Sequence, residues 1–164
     1  DDDRVNTVGQ LSNKIAFFLK EHLLITIHRA DFSFFGKMKK PCKHVHQLVL
    51  NIIAEMVESF EKPLQEQLEV IDSIEKVIFI KSNKPISLED LYYQKSRARI
   101  SKKLLLFMQH VLNQIEVKTK HHSQLEDIKD TLTNLILLYD EVTEDAHNLM
   151  HTYLTVSAQK ATMS

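Results

Sequence analysis

The sequence contains few of the residues that interrupt helices. Only two glycines and three prolines occur among its 164 residues. Hairpins, sandwiches and barrels need Gly-bearing turns at regular intervals, so this scarcity disfavours a fold built mainly from strands. Hydrophobic residues make up 43% of the chain and charged residues 26%, which is enough to bury a core as one domain, or one domain with an appendage. The composition predicts a mainly helical protein.

The low cysteine content, the small net charge and the lack of long apolar runs indicate which cellular compartment and which binding partners to expect. The single cysteine, Cys42, cannot form an internal disulfide, which fits a reducing compartment. The net charge of -1 provides no overall positive field, so we expect no nucleic-acid partner. No apolar run approaches the roughly 18 residues that span a bilayer, and no signal peptide precedes the first strand-like segment. We therefore expect the chain as given to be soluble.

Motifs of enzymatic chemistry are also absent from the sequence. It has no Gly-rich phosphate loop, no Gly-x-Ser-x-Gly elbow and no His-Glu-x-x-His. Cys42 has His44 and His46 nearby in sequence, but a cysteine nucleophile needs a base and an orienting group that the fold must position. We expect no catalytic residues, no enzyme activity and no organic cofactor.

Two apolar runs near the start, residues 15–19 and 23–28, are rich in β-branched and aromatic residues. A polar break at residues 20–22 separates them, so they predict two adjacent strands, with a buried helix as the alternative. A lone hairpin is marginally stable in water, so we expect these strands to end a larger sheet.

Apolar residues spaced by three and four then predict two helical segments. Pro41 suits the first turn of a helix that we expect to run as one kinked helix past Pro63 to residue 78. Ser87 and Asp90 resemble a capping box for a returning helix that reaches about residue 116. Its predicted apolar stripe is Leu88, Leu91, Tyr92, Ile100, Leu104, Phe107, Met108, Val111, Leu112 and Ile115.

The segment "SQLEDIKDTLTNLILLYDEVTEDAHNLMHTYLTV", residues 123–156, carries a strict apolar stripe, here called the seam. Its spacing of three and four over more than four heptads predicts a coiled-coil-like stalk helix of roughly 50 Å. A second capping box, Ser123 and Glu126, would start this helix. The seam consists of Leu125, Ile128, Leu132, Leu135, Tyr139, Val142, Ala146, Leu149, Tyr153 and Val156.

The predicted fold class is α+β and predominantly α. Terminal strands of a small sheet precede three long antiparallel helices, the last of them the stalk. We expect residues 1–40 to be the remnant of an α/β domain, 41–120 a helical hairpin, and 121–164 a stalk leading toward transmembrane segments.

Two groups of charged residues could form a binding site or could have an ordinary structural role. Glu144, His147 and His151, with Asp140, share one helical face where a transition metal could bind, but a solvated outer face is the favoured interpretation because no second helix is expected to supply further ligands. The segment "QKSRARISKK" lacks the interleaved aromatics of a nucleic-acid groove, which favours its cations as counter-charges for acidic neighbouring helices.

Asp127 and Asp130 lie three residues apart beside the seam. Such a carboxylate pair can bind Mg²⁺ weakly through water, with oxygens from another segment. Acidic residues early in a helix also favour its dipole, and by spacing alone this ordinary role is the favoured interpretation.

The order of "LLITIHRAD", "HVHQLVLNIIAEMVESFEKPLQEQLEVIDSIEKVIF", "KSRARISKKLLL" and "LMHTYLTVSAQK" resembles the cytoplasmic portion of the CorA family of magnesium and cobalt transporters. The resemblance begins near Lys14. It implies a homopentamer whose stalk helices continue into the membrane, with a Gly-Met-Asn loop between two spans. It also implies a regulatory Mg²⁺ or Co²⁺ site at Asp130, beside Asp127, completed by an acid of the adjacent subunit.

The sequence departs from the family pattern in two respects. Most of the N-terminal α/β domain and the membrane segments with their Gly-Met-Asn loop are absent from these 164 residues. The resemblance therefore implies the regulatory portion, at the cytoplasmic face of the cell membrane, of a divalent-cation transporter. The alternative is a freestanding helical scaffold that recruits partner helices through its seam. His147 and His151 do not single out the zinc-transporting branch.

Overall fold

The computed structural model describes residues 12–38, 41–80 and 85–163. Two strands, β1 (Ile15–Lys20) and β2 (Leu23–His28), precede a short helix, α1 (Ser33–Lys37). Four longer helices follow and end the described chain. They are α2 (Val45–Glu58), α3 (Glu61–Phe79), α4 (Leu88–Leu112) and α5 (His122–Met163). The predicted fold class, predominantly α with a small sheet, is confirmed.

The two strands form an antiparallel hairpin, as predicted. Its register pairs Ile15 with His28 and Lys20 with Leu23, so Lys20 belongs to the strand and the turn has two residues. Leu24 packs against the helical core. Most of the hairpin's large apolar side chains remain exposed: Phe18, Leu19, Leu23, Ile25 and Ile27.

The helix α1 was not predicted from the sequence. Its five residues bring together a cluster of aromatic rings, in which His28 stacks on Phe35 with ring centroids 5.2 Å apart. Phe34 is the buried residue of this helix. Such a short segment has no room for a periodic pattern, which explains why periodicity did not reveal it.

The prediction of one kinked helix from Pro41 to residue 78 is wrong. The first helix begins at Val45, after an extended His44, and ends at Glu58. The amide of Phe60 then bonds to the carbonyl of Val57, 3.1 Å away, and a second helix begins at Glu61. Proline is tolerated in the first turn of a helix because the amide that it lacks has no helical partner there. Pro63 therefore marks the start of α3.

The helix α4 begins as predicted and buries a different stripe. The amide of Asp90 donates to Ser87 Oγ at 3.1 Å, which confirms the cap. The helix ends at Leu112, four residues before the predicted end. Its buried residues are Leu91, Ala98, Ser101, Leu105 and Leu112, whereas the predicted core residues Tyr92, Phe107 and Val111 are exposed.

The stalk helix α5 is confirmed as one unbroken element. Its 42 residues correspond to about 63 Å at the usual helical rise. A 3₁₀ helix, Thr119–His121, leads directly into it. Ser123 is therefore the second residue of the helix, and its predicted role as the cap is wrong.

Most of the seam is buried within the chain itself. Tyr153 and Val156 are half-buried, and residues 157–163 are all exposed. The buried part of the seam joins the same core as residues of α2, α3 and α4. It consists of Leu125, Ile128, Leu132, Leu135, Tyr139, Val142, Ala146 and Leu149.

Bonds between α4 and α5 fix their antiparallel order. Gln109 Nε2 lies 3.5 Å from Thr133 Oγ1, Lys102 Nζ lies 2.5 Å from Asp140 Oδ1, and Lys95 Nζ lies 3.1 Å from His147 Nδ1. Between α3 and α4, Gln67 Nε2 donates to the main-chain oxygen of Gln94 at 3.1 Å. Among residues 12–38, 41–80 and 85–163, no helix is both long and apolar enough to cross a bilayer.

Candidate functional site

The two aspartates predicted as metal ligands lie near the start of α5. Asp127 and Asp130 are both exposed, and the buried seam residue Ile128 lies between them in sequence. Residues three apart on a helix are neighbours on its surface. The fold therefore presents the two carboxylates side by side to solvent.

The neighbouring cation, Lys129, does not form an ion pair with either aspartate. Lys129 binds Glu126 at 3.2 Å, and neither aspartate has an ion-pair partner among the described residues. The hydroxyl of Thr131 donates to the main-chain oxygen of Asp127 at 3.0 Å and does not engage its side chain. Both carboxylates remain accessible to a ligand.

The aspartate pair fits Mg²⁺ only in part. Mg²⁺ prefers hard oxygen ligands, often takes one or two carboxylates, and keeps several waters. Within the described ranges, no group of three or more His, Cys, Asp or Glu side chains is placed to hold a metal ion. Asp127 and Asp130 can supply two oxygen ligands, and further protein ligands would have to come from outside these ranges.

A chain of polar contacts attaches the start of α5 to α2. Gln124 Nε2 donates to Asn51 Oδ1 at 2.6 Å, and Asn51 Nδ2 donates to Cys42 Sγ at 3.3 Å. Gln124 precedes Asp127 by three residues and Asp130 by six. The contacts therefore fix the part of α5 that carries the aspartates.

Tyr139 attaches the middle of α5 to the break between α2 and α3. Its side chain is fully buried, and its hydroxyl donates to the carbonyl of Phe60 at 2.6 Å. Burial raises the pKa of Tyr139 to about 12, although a hydrogen bond with Ser101 and the charge of Arg97 act in the opposite direction. Tyr139 thus stays neutral and remains a hydrogen-bond donor at physiological pH.

A cluster of histidines and lysines lies beside the start of α5, and the sequence did not predict it. The ring of the buried His121 lies 5.9 Å from that of His44, and Lys120 Nζ lies 2.7 Å from His44 Nε2. Burial is the main cause that lowers the pKa of His121, and the charge of Lys120 is the main cause for His44. "CKHVH" and "KTKHH" supply the residue types, but 76 positions separate Lys120 from His44, and only the fold brings them together.

The alternative metal site at Glu144, His147 and His151 is opposed by its surroundings. Lys102 binds Asp140 on this side of α5, and Lys95 lies beside His147. Cationic side chains at these positions repel a metal ion and compete for its ligands. For Lys102, the structure confirms the prediction that this basic segment supplies counter-charges to a neighbouring helix.

A comparison with protein families identifies a match over residues 2–162 to the family described as CorA-like Mg²⁺ transporter protein. The chain belongs to this family. No match is found among curated proteins.

The match of this CorA-like chain covers every strand and nearly all of the helices described above. The hairpin, the acidic α3, the returning α4 and the stalk α5 are thus parts of one family pattern. Membership relates the chain to divalent-cation transport.

Proposed function

We propose that this chain is the regulatory portion of a divalent-cation transporter, and that it senses intracellular Mg²⁺ and gates the pore through α5. The observation that carries the proposal is the family match over residues 2–162, together with an unbroken 42-residue helix. A continuous helix is a suitable element for carrying a movement from a sensing site to a distant pore.

Asp130 is the first-choice sensor ligand and Asp127 its companion. Both are exposed near the beginning of α5 without an ion-pair partner among the described residues. Because this part of the chain supplies no third ligand, the proposal assigns the next one to an acidic residue of an adjacent subunit. Co²⁺ could occupy the same site.

Electrostatics links this site to gating. A bound divalent cation neutralises carboxylates from two subunits and holds them together. When intracellular Mg²⁺ falls and the ion leaves, the carboxylates repel one another and favour the open state. The transporter would then be inhibited by the ion that it imports.

The proposed assembly is a homopentamer at the cytoplasmic face of the cell membrane. Transmembrane segments encoded after residue 164 would continue the direction of α5, and we expect two apolar stretches of about 20 residues there. The half-buried Tyr153 and Val156 and the exposed residues 157–163 leave this end of the helix available for contacts with other subunits.

The alternative function is a freestanding scaffold that recruits a partner helix through the seam. It has less support, because the seam from Leu125 to Leu149 is already buried against helices of the same chain. A stop codon directly after codon 164 would favour the scaffold.

Mg²⁺ titration of the full-length protein tests the sensor. Asp130→Asn is expected to weaken regulatory binding by about tenfold or more, since it removes one charged ligand, and Asp127→Asn is expected to have a smaller effect. Asp145→Asn is the matched control, because Asp145 is an exposed aspartate farther along the same helix. Isothermal titration calorimetry measures the affinity, and protection from trypsin measures the accompanying conformational change.

Each result has a direct interpretation. Weaker binding in Asp130→Asn with normal binding in Asp145→Asn supports the site. Equal affinity in the wild type and Asp130→Asn would remove Asp130 from the sensor.

A further inference from the structure

An open groove with a volume of about 390 Å³ lies between α4 and α5. Four cationic side chains and Leu106 of α4 line one wall, and Asp140 and Thr143 of α5 line the other. The cations are Lys95, Arg99, Lys102 and Lys103. We call this feature the basic groove.

The basic groove has more positive than negative charge. Its one carboxylate, Asp140, is bound by Lys102 at 2.5 Å. Lys95 Nζ lies 3.1 Å from Nδ1 of His147, and this ring nitrogen can accept a hydrogen bond but supplies no negative charge. Neither Arg99 nor Lys103 has an ion-pair partner among the described residues. Two cations of the groove therefore remain without a counter-charge.

The spacing of these cations is unfavourable for an isolated helix. Arg99 lies four residues after Lys95 and four before Lys103, so all three project from one side of α4. Like charges at this spacing repel one another and destabilise a helix. A multivalent anion in the groove would remove this repulsion, whereas the chain's own Asp140 offsets only one charge.

We propose that the basic groove binds a soluble oligophosphate, a diphosphate or triphosphate that is either free or carried by a nucleotide. Arg99 offers a planar fork of donors that matches phosphate oxygens, and the lysines add mobile point charges. Lys95 and Lys103 are eight residues apart, about 12 Å along the helix, so the cations match several linked phosphates better than one.

The position of the groove favours a soluble ligand over a lipid headgroup. The residues of α5 that line it, Asp140 and Thr143, precede Met163 by at least 20 positions, which is about 30 Å of helix. In the membrane arrangement proposed above, a headgroup beyond the end of α5 would not reach the groove. The preference for a soluble ligand thus rests on the proposed function, whereas the affinity for phosphates rests on the charges of the groove alone.

Calorimetric titration of the chain without divalent cations tests the proposal, since Mg²⁺ would itself bind the ligand. Sodium tripolyphosphate is expected to bind more tightly than pyrophosphate, and pyrophosphate more tightly than orthophosphate, with affinity falling as salt is added. The double variant Arg99→Gln/Lys103→Gln is expected to lose at least about tenfold in affinity for tripolyphosphate.

The matched control is Lys62→Gln/Lys76→Gln, which removes the same charge from exposed positions on α3. It is expected to change the affinity by less than about twofold, because neither lysine lines the groove and both are exposed, where solvent and salt screen their charges. Without ligand, Arg99→Gln/Lys103→Gln is expected to unfold at the same temperature as wild type or higher, because like charges have been removed. Tripolyphosphate should raise the unfolding temperature of the wild type and not of this variant.

Three outcomes would overturn the proposal. Equal loss of affinity in both double variants would mean that only net charge matters. Binding to phosphatidylglycerol vesicles that depends on Arg99 and Lys103, without binding of tripolyphosphate, would assign the groove to a membrane surface. A change only in self-association, measured by light scattering, would assign it to a contact between copies of the chain.

Discussion

Tyr139 of the seam has two roles, one of its ring and one of its hydroxyl. Its ring fills the core between helices, and its hydroxyl satisfies a carbonyl at the break between α2 and α3. The same carbonyl of Phe60 also accepts the amide of Leu64 at 3.3 Å. The buried hydroxyl thus contributes a second bond at the point where the main chain leaves one helix and enters the next.

Tyr139→Phe tests this contribution, since it keeps the ring and removes the hydroxyl with its bonds to Phe60 and Ser101. We expect a loss of about 1 kcal/mol in the free energy of unfolding, the usual value for a buried neutral hydrogen bond. Tyr153→Phe on the half-buried part of the seam is the control and should lose less. Urea denaturation measures both, and equal stability of wild type and Tyr139→Phe would show that the buried hydroxyl contributes nothing.

His121 predicts a pH dependence of stability. Burial lowers its pKa in the folded protein below the usual 6.5, and the positive groups around it act in the same direction: Lys118, Lys120, His44 and His46. The unfolded chain therefore binds a proton at a higher pH than the folded one. The stability gained by keeping His121 neutral is complete above about pH 6.5, and it is lost as the pH falls below that value.

The measurement is urea denaturation at pH 7.5 and pH 5.5. We expect the wild type to be less stable at pH 5.5, and His121→Gln to show a smaller drop. His151→Gln replaces an exposed histidine of α5 and should show the same drop as wild type. An identical drop in His121→Gln would exclude His121 as its source.

At the scale of elements, the apolar periodicity of α4 was not sufficient to predict which face of the helix is buried. Its buried residues Leu91, Ala98, Leu105 and Leu112 recur every seven positions, but a second row of large apolar residues runs beside them. The predicted stripe contained residues of that second row, since Phe107 and Val111 are more hydrophobic than Ala98 or Ser101. A small residue is buried where helices approach closely, and only the packed partner reveals this.

Two adjacent leucines test the assignment of the buried face of α4. Leu105 is fully buried, whereas Leu106 is 43% exposed. Leu105→Ala is expected to lower the free energy of unfolding by about 2 to 5 kcal/mol, because it leaves a cavity. Leu106→Ala is expected to change it by only about 0.5 kcal/mol. Comparable losses from the two substitutions would mean that the helix is rotated relative to the described structure.

At the scale of the whole molecule, the seam was predictable and its partner was not. The strict spacing of three and four identified all eight buried positions of α5. It could not show whether those positions face another subunit or the same chain, since both give identical periodicity. The same holds for Asp127 and Asp130. Their spacing in the sequence does not reveal whether a residue from another subunit would complete a metal site with them.

Hydrogen exchange distinguishes the two ends of α5. We expect slow exchange for the amides of residues 125–149, which surround the buried seam, and fast exchange for residues 157–163, whose side chains are exposed. Mass spectrometry of the 164-residue chain measures this contrast. Under the proposed function, the contrast should disappear in the full-length protein, where the last turns would continue into a membrane helix. Uniform protection in the 164-residue chain would contradict the described packing.

The unbroken course of α5 determines where this molecule is able to deform. A helix without Gly or Pro from residue 122 to 163 resists bending, so a push on its first turn reaches its last turn as a translation or rotation of a stiff body. Bending must then occur in the connecting segments outside α5, at Ser59 and Phe60 and in residues 113–118. Those connectors, more than the stalk, would limit how far and how fast a regulatory movement proceeds.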